Sequence, residues 1–90
     1  MKQVIWKQQI QITRQQEITL PVVSKFLSVQ FQGENLTVWY QCNPDSQAVT
    51  KKLYVLGTGE DIPENITIRH LGTVLEAGGA LVWHVYEGVE

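Results

Sequence analysis

The chain has 90 residues, a length that holds one domain with a single core. Hydrophobic residues make up 43% and charged residues 18%, a globular composition that excludes intrinsic disorder. The net charge of -2 argues against general nucleic-acid binding, which rests on clustered Lys and Arg; the single cysteine, Cys42, excludes an intrachain disulfide framework and a Cys-based zinc site.

The residues from Met1 to Gln8 carry no apolar run of secretion-signal length. No stretch reaches the ~18 apolar residues of a membrane-spanning helix, so no membrane association is expected. The expected location is a reducing cytoplasm, where a free Cys42 is ordinary. The sequons at Asn35 and Asn65 then read as chance.

Val, Ile and Thr are abundant, and Ala occurs only at positions 48, 77 and 80. That balance favours pleated, half-buried surfaces over helices. In the first segment Val4, Trp6, Ile10 and Ile12 share one parity, while Lys7, Gln9, Gln11 and Thr13 share the other. A period of two predicts a strand with the first set inward. The next segment places Ile18, Leu20 and Val22 inward, with Pro21 ending the strand or lying on an edge, because it cannot donate to a ladder.

Phe26 to Cys42 forms the clearest element. Gly33-Glu34 separates two alternating runs, and glycine first in a two-residue loop suits a type II′ turn. The register pairs Phe31 with Leu36, Val29 with Val38 and Leu27 with Tyr40 on one face. Gln30 with Thr37 and Ser28 with Trp39 occupy the other. Cys42 keeps the parity of Leu36, Val38 and Tyr40 and reads as a small core residue. Trp39 and Phe26 fall on the outward face. Asn43-Pro44-Asp45-Ser46 is a turn by composition, and Pro44 to Thr50 could hold at most one helical turn.

Lys51 to Leu56 is a further strand, closed by Gly57-Thr58-Gly59, and Glu60 to Asn65 is a loop. The last hairpin runs from Leu71 to Glu87 about Gly78-Gly79. A two-residue turn would place Val74 across from Trp83 and Thr73 across from His84. A three-residue loop, Ala77 to Gly79, groups Leu71, Thr73, Leu75, Leu81, Trp83 and Val85 on one face and His70, His84 and Tyr86 on the other. The second separates the faces more cleanly and is the expected register, with Gly79 in a left-handed bulge position. Six or seven short strands joined mainly by turns imply an all-β fold, a small antiparallel sandwich or barrel. Open edges in so small a sandwich need cover or invite dimerisation.

The segments Leu27-Ser28-Val29-Gln30, Val38-Trp39, Asn43-Pro44-Asp45, Val55-Leu56-Gly57-Thr58-Gly59, Leu71-Gly72-Thr73 and Gly79-Ala80-Leu81-Val82-Trp83-His84-Val85-Tyr86-Glu87 follow one another in order. The pattern resembles a family of small bacteriophage and prophage proteins, a domain of unknown function. Its most specific part is the C-terminal Gly-Ala-Leu-Val-Trp-His-Val-Tyr-Glu motif. The resemblance covers nearly the whole chain and implies a phage or prophage source, which makes the expected cytoplasm that of a host bacterium. It transfers no functional residue.

His70 and His84 could bind a metal only with a third ligand, Glu76 or Glu87, and parity turns Glu87 to the opposite face. The pair reads more simply as surface or interface histidines, and neither a metal nor a cofactor is expected. No nucleophile sits in a strained turn, so Cys42 or Ser28 with a histidine makes a poor catalytic pair, and Glu60, Asp61 and Glu64 read as a solvated acidic loop. Gly57-Thr58-Gly59 lacks the Lys-Ser/Thr of a phosphate-binding loop, and no helix follows it. Lys51, Lys52 and Arg69, with Tyr54, Tyr86 or Trp39 nearby, form a candidate site for a small anionic ligand, by charge and by stacking. Trp6 and Trp83 read as core. An outward Phe26 and Trp39 would mark a subunit or partner contact, unless another segment of the chain covers them or they stack on a ligand.

The chemistry thus points to a non-enzymatic binding module, expected as a homodimer or higher homo-oligomer. In a phage setting it would act by contact, countering host defence by binding a host protein or sequestering a small signalling molecule. A virion structural or assembly role, and a small metal protein or enzyme using His70 and His84, are the alternatives.

Overall fold

A computed structural model describes residues 1–89. Seven antiparallel strands form two sheets stacked as a sandwich, with no closed barrel. The strands are β1 (Val4–Gln9), β2 (Gln16–Pro21), β3 (Ser24–Gln32), β4 (Asn35–Cys42), β5 (Ala48–Gly57), β6 (Ile68–Glu76) and β7 (Leu81–Gly88). The three-stranded sheet has the order β1-β4-β3 and the four-stranded sheet the order β2-β5-β7-β6. β2 is an edge strand that ends at Pro21, where a missing backbone donor costs no ladder bond.

The core lies between the sheets. Ile10, Ile18, Leu20, Val29, Leu36, Val38, Tyr40, Cys42, Leu53, Val55, Val74 and Val85 are buried together, with Val4, Phe26, Phe31, Leu71 and Trp83 packed on them. Cys42 is buried, as its parity requires. Trp83 packs on the core and donates its indole N–H to Glu76 Oε1 at 2.8 Å. Three residues of inward parity differ. Trp6 is 44% exposed because β1 is an edge strand, Ile12 lies beyond the end of β1, and Val22 lies beyond the end of β2; the last two are also exposed.

The β3–β4 hairpin turns at Gly33-Glu34, with Gly33 at φ +63°. Its register matches the alternation from Gln32 back to Ser28 and then shifts at Leu27. The bulge pairs Phe26, not Leu27, with Tyr40. It therefore turns Phe26 inward, where its ring meets Tyr40 edge-on at 6.0 Å, and leaves Leu27 exposed. The expected outward Phe26–Trp39 pair does not form. Trp39 alone keeps the outward parity, half-buried between Lys7 and Ser28.

A second bulge resolves the last hairpin. From Glu76↔Leu81 to Gly72↔Val85 the strands follow the register in which Val74 faces Trp83 and Thr73 faces His84. Beyond Leu71 the pairing shifts to His70↔Tyr86 and Arg69↔Glu87, the other register. Each of the two alternatives thus holds at one end of the hairpin. Thr73 and Leu75 consequently leave the core face, on which Val74 is buried. The only helical turn among the described residues is Ala77–Gly79, in that hairpin's loop, and not the Pro44 to Thr50 segment. Gly79 takes φ +93° there.

The two sheets close differently on their two sides. On one side β3 lies against β6, and Gly72 sits over Val29, where an added Cβ would fall 3.2 Å from the Val29 Cβ. On the other, the Gln8 carboxamide donates to the Thr19 carbonyl on β2 at 2.8 Å and to the Tyr40 hydroxyl at 2.9 Å. One side chain thus joins the β1 and β2 edges and satisfies a buried phenol.

Candidate functional site

At the end of the sandwich where β2 hands over to β3, the sheets part. The opening is a cleft of about 330 Å³. Leu20, Pro21, Val49, Phe26 and Leu71 supply apolar walls, and Lys25, Lys51, Arg69, His70 and Glu87 supply the charge and polarity. Lys51 reaches this space because it shares the parity of Leu53 and Val55 on β5, whose side chains enter the core. Glu87 does so because it shares the parity of Val85 on β7.

Glu87 is buried, and a carboxylate there needs a partner. Lys51 Nζ donates to Glu87 Oε1 at 2.7 Å. Lys51 remains partly open to water. Lys25 and Arg69 also line the cleft, and among the described residues neither makes an ion pair. Three cations against one carboxylate leave the cleft positive on a chain whose net charge is -2. Such a pocket attracts an anion by field as well as by contact. Arg69 offers a planar fork of donors suited to phosphate or carboxylate oxygens.

The nine candidate residues fall on three surfaces, the cleft and the outer faces of the two sheets, with Lys52, Tyr54, His84 and Tyr86 on the outer face of the four-stranded sheet. Phe26, Lys51, Arg69 and His70 converge on the cleft. Lys52 points to the opposite face from Lys51 and shares an open groove with Tyr54, Glu17, Asn65 and Thr67. Tyr54 is buried and offers no ring face for stacking. Trp39 lies on the outer face of the three-stranded sheet, remote from both. Lys51 also lines that groove, so Lys51, Lys52 and Tyr54 do share a surface, away from Trp39, while in the cleft Lys51 stands with Arg69 and Lys25.

His84 and Tyr86 lie on the outer face of the four-stranded sheet, and His70 sits on the rim between that face and the cleft. His70 meets the Tyr86 ring at 5.2 Å. Thr58 Oγ1 lies 2.8 Å from His84 Nε2, Thr73 Oγ1 lies 3.0 Å from His84 Nδ1, and His70 Nε2 lies 2.9 Å from the same Thr73 oxygen. Two proton orders satisfy the whole chain: Thr58 donates to His84, His84 to Thr73 and Thr73 to His70, or each step runs in reverse with the other tautomers. Among the described residues no three His, Cys, Asp or Glu side chains converge as metal ligands. Glu76 is engaged by Trp83, and Glu87 lies across the sheet with Lys51.

Sequence reasoning missed Lys25 and gave Glu87 no role with Lys51. Glu87 had a legible signal, a carboxylate on the apolar parity of its strand opposite a strand with a lysine on its own apolar parity. Lys25 shares the parity of Leu27 and Val29 in the sequence, but the bulge turns Phe26 and not Lys25 inward, and Lys25 lines the cleft from its exposed rim.

A family model described as Domain of unknown function (DUF7352) matches residues 1–90. No curated protein and no solved structure matches the chain.

Proposed function

The chain belongs to the DUF7352 family, a domain of unknown function, and from that premise and the cleft we propose that it is a non-enzymatic module that binds a small anionic molecule between its sheets. The observation that carries this reading is the convergence of Lys25, Lys51 and Arg69 on one apolar-walled cleft, with Glu87 pinning Lys51. The apolar walls take the body of the ligand, and the cations take its charged group. The C-terminal motif and its order with the other segments support a phage or prophage origin. In a host bacterial cytoplasm such a module would act by sequestration, and a small anionic signal of host defence is the ligand class that fits.

Native mass spectrometry of the protein purified from bacterial cells tests this. The expected spectrum shows a small-molecule adduct, which Arg69→Ala removes while leaving the chain folded. Where the ligand has been lost in purification, adenosine monophosphate or inorganic pyrophosphate should raise Tm by mass action. An adduct-free protein that neither probe stabilises would overturn the reading.

A further inference from the structure

Of the four sheet edges, three are guarded. β3 and β6 lie against each other, and β2 carries Pro21 and has its Thr19 carbonyl capped by Gln8. The fourth, β1, has no proline and shows Ile5 at 67% and Trp6 at 44% exposure. We infer that β1 pairs with β1 of a second copy of this chain, antiparallel about a two-fold axis through Trp6, to make a six-stranded sheet.

The register follows from hydrogen-bond phase. The Ile10 N–H donates to the Leu36 carbonyl, and the same ladder pairs Gln8 with Val38 and Trp6 with Tyr40. The even residues of β1 therefore turn their backbone groups to β4, and Ile5, Lys7 and Gln9 turn theirs to the open edge. Only registers that place odd residues opposite odd residues can bond. A two-fold at Lys7 sets two ammonium groups directly opposite, which is destabilising. A two-fold at Ile5 overlaps β1 only from Val4 to Trp6. A two-fold at Trp6 overlaps it from Val4 to Gln8, sets Ile5 opposite Lys7 of the other copy, and opposes no like charges. The two Trp6 rings then meet as a non-hydrogen-bonded pair, the position where cross-strand side chains lie closest. Both copies use the same patch, as a closed two-fold interface requires. This inference does not depend on the ligand reading.

Sedimentation of the intact chain, with a charge-swap pair at Trp6, is the test. The wild-type protein should sediment as a dimer. Trp6→Glu and Trp6→Lys should each weaken self-association by at least about tenfold, through like charges at the axis, while retaining the wild-type circular dichroism spectrum. Mixed in equal amounts, the two variants should recover the dimer. A wild-type monomer would overturn the proposal. A dimer unaffected by either variant, or two folded monomeric variants that stay apart when mixed, would overturn the Trp6 axis.

Discussion

Gly72 offers the sharpest test of how the sheets pack. It lies in β6 without a left-handed φ, so its value there is space and not backbone freedom. An added Cβ would stand 3.2 Å from Val29 Cβ and 3.4 Å from Val29 Cγ2, and Val29 is buried in the core. Gly72→Ala gains ~0.4–1 kcal/mol by restricting the unfolded chain. Overpacking a filled core costs ~1–3 kcal/mol. The overpacking term is the larger, so the expected net loss is ~1 kcal/mol, or about 4–8 °C in Tm for a domain of this size. Val29→Ala removes Cγ2 but keeps the nearer Cβ, and costs ~1.5–3 kcal/mol of burial by itself. The double variant should therefore be less destabilised than the sum of the two singles by only about 0.5 kcal/mol. Urea unfolding followed by tryptophan fluorescence measures all three. A neutral Gly72→Ala would refute the close approach of β3 to β6.

Other substitutions test the bulges, the core and the histidine chain. Phe26→Ala should cost ~1.5–3 kcal/mol in urea unfolding, and Leu27→Ala less than ~0.5 kcal/mol, because the bulge turns Phe26 and not Leu27 onto Tyr40. The order would reverse in a bulge-free hairpin. Cys42→Ser buries a hydroxyl at a fully enclosed apolar position and should cost ~1–3 kcal/mol by the same assay. Thr73→Val should shift the ring nitrogen resonances of both His70 and His84 in long-range proton–nitrogen spectra, whereas Thr58→Val should shift those of His84 alone. Equal responses to the two variants would contradict the Thr58–His84–Thr73–His70 chain.

Alternation fixed the pairing wherever the strands are regular. The Gly33-Glu34 turn, Val29 against Val38, and the inward Cys42 all follow from a period of two. The two bulges were not legible. A one-residue insertion leaves composition and local alternation unchanged, yet it moves every residue beyond it to the other face. That is why Phe26 looked exposed, and why the last hairpin offered two registers when each holds at one end. Strand order was equally silent. Trp6 has inward parity, but β1 is an edge strand, so the residue stays half-open. The candidate site shows the same division. Lys51 and Glu87 carry a parity signal that pairs them across the core face, whereas the bulge moves Lys25 off the apolar parity it has in the sequence, and it lines the cleft from the rim.

The most direct test of the central claim is a backbone amide NMR titration of the intact protein with inorganic pyrophosphate. The account predicts saturable shifts clustered at Lys25, Phe26, Lys51, Arg69 and His70, abolished by Arg69→Ala. Shifts that gather instead around Lys52 and Tyr54, or no saturable shift at all, would contradict it.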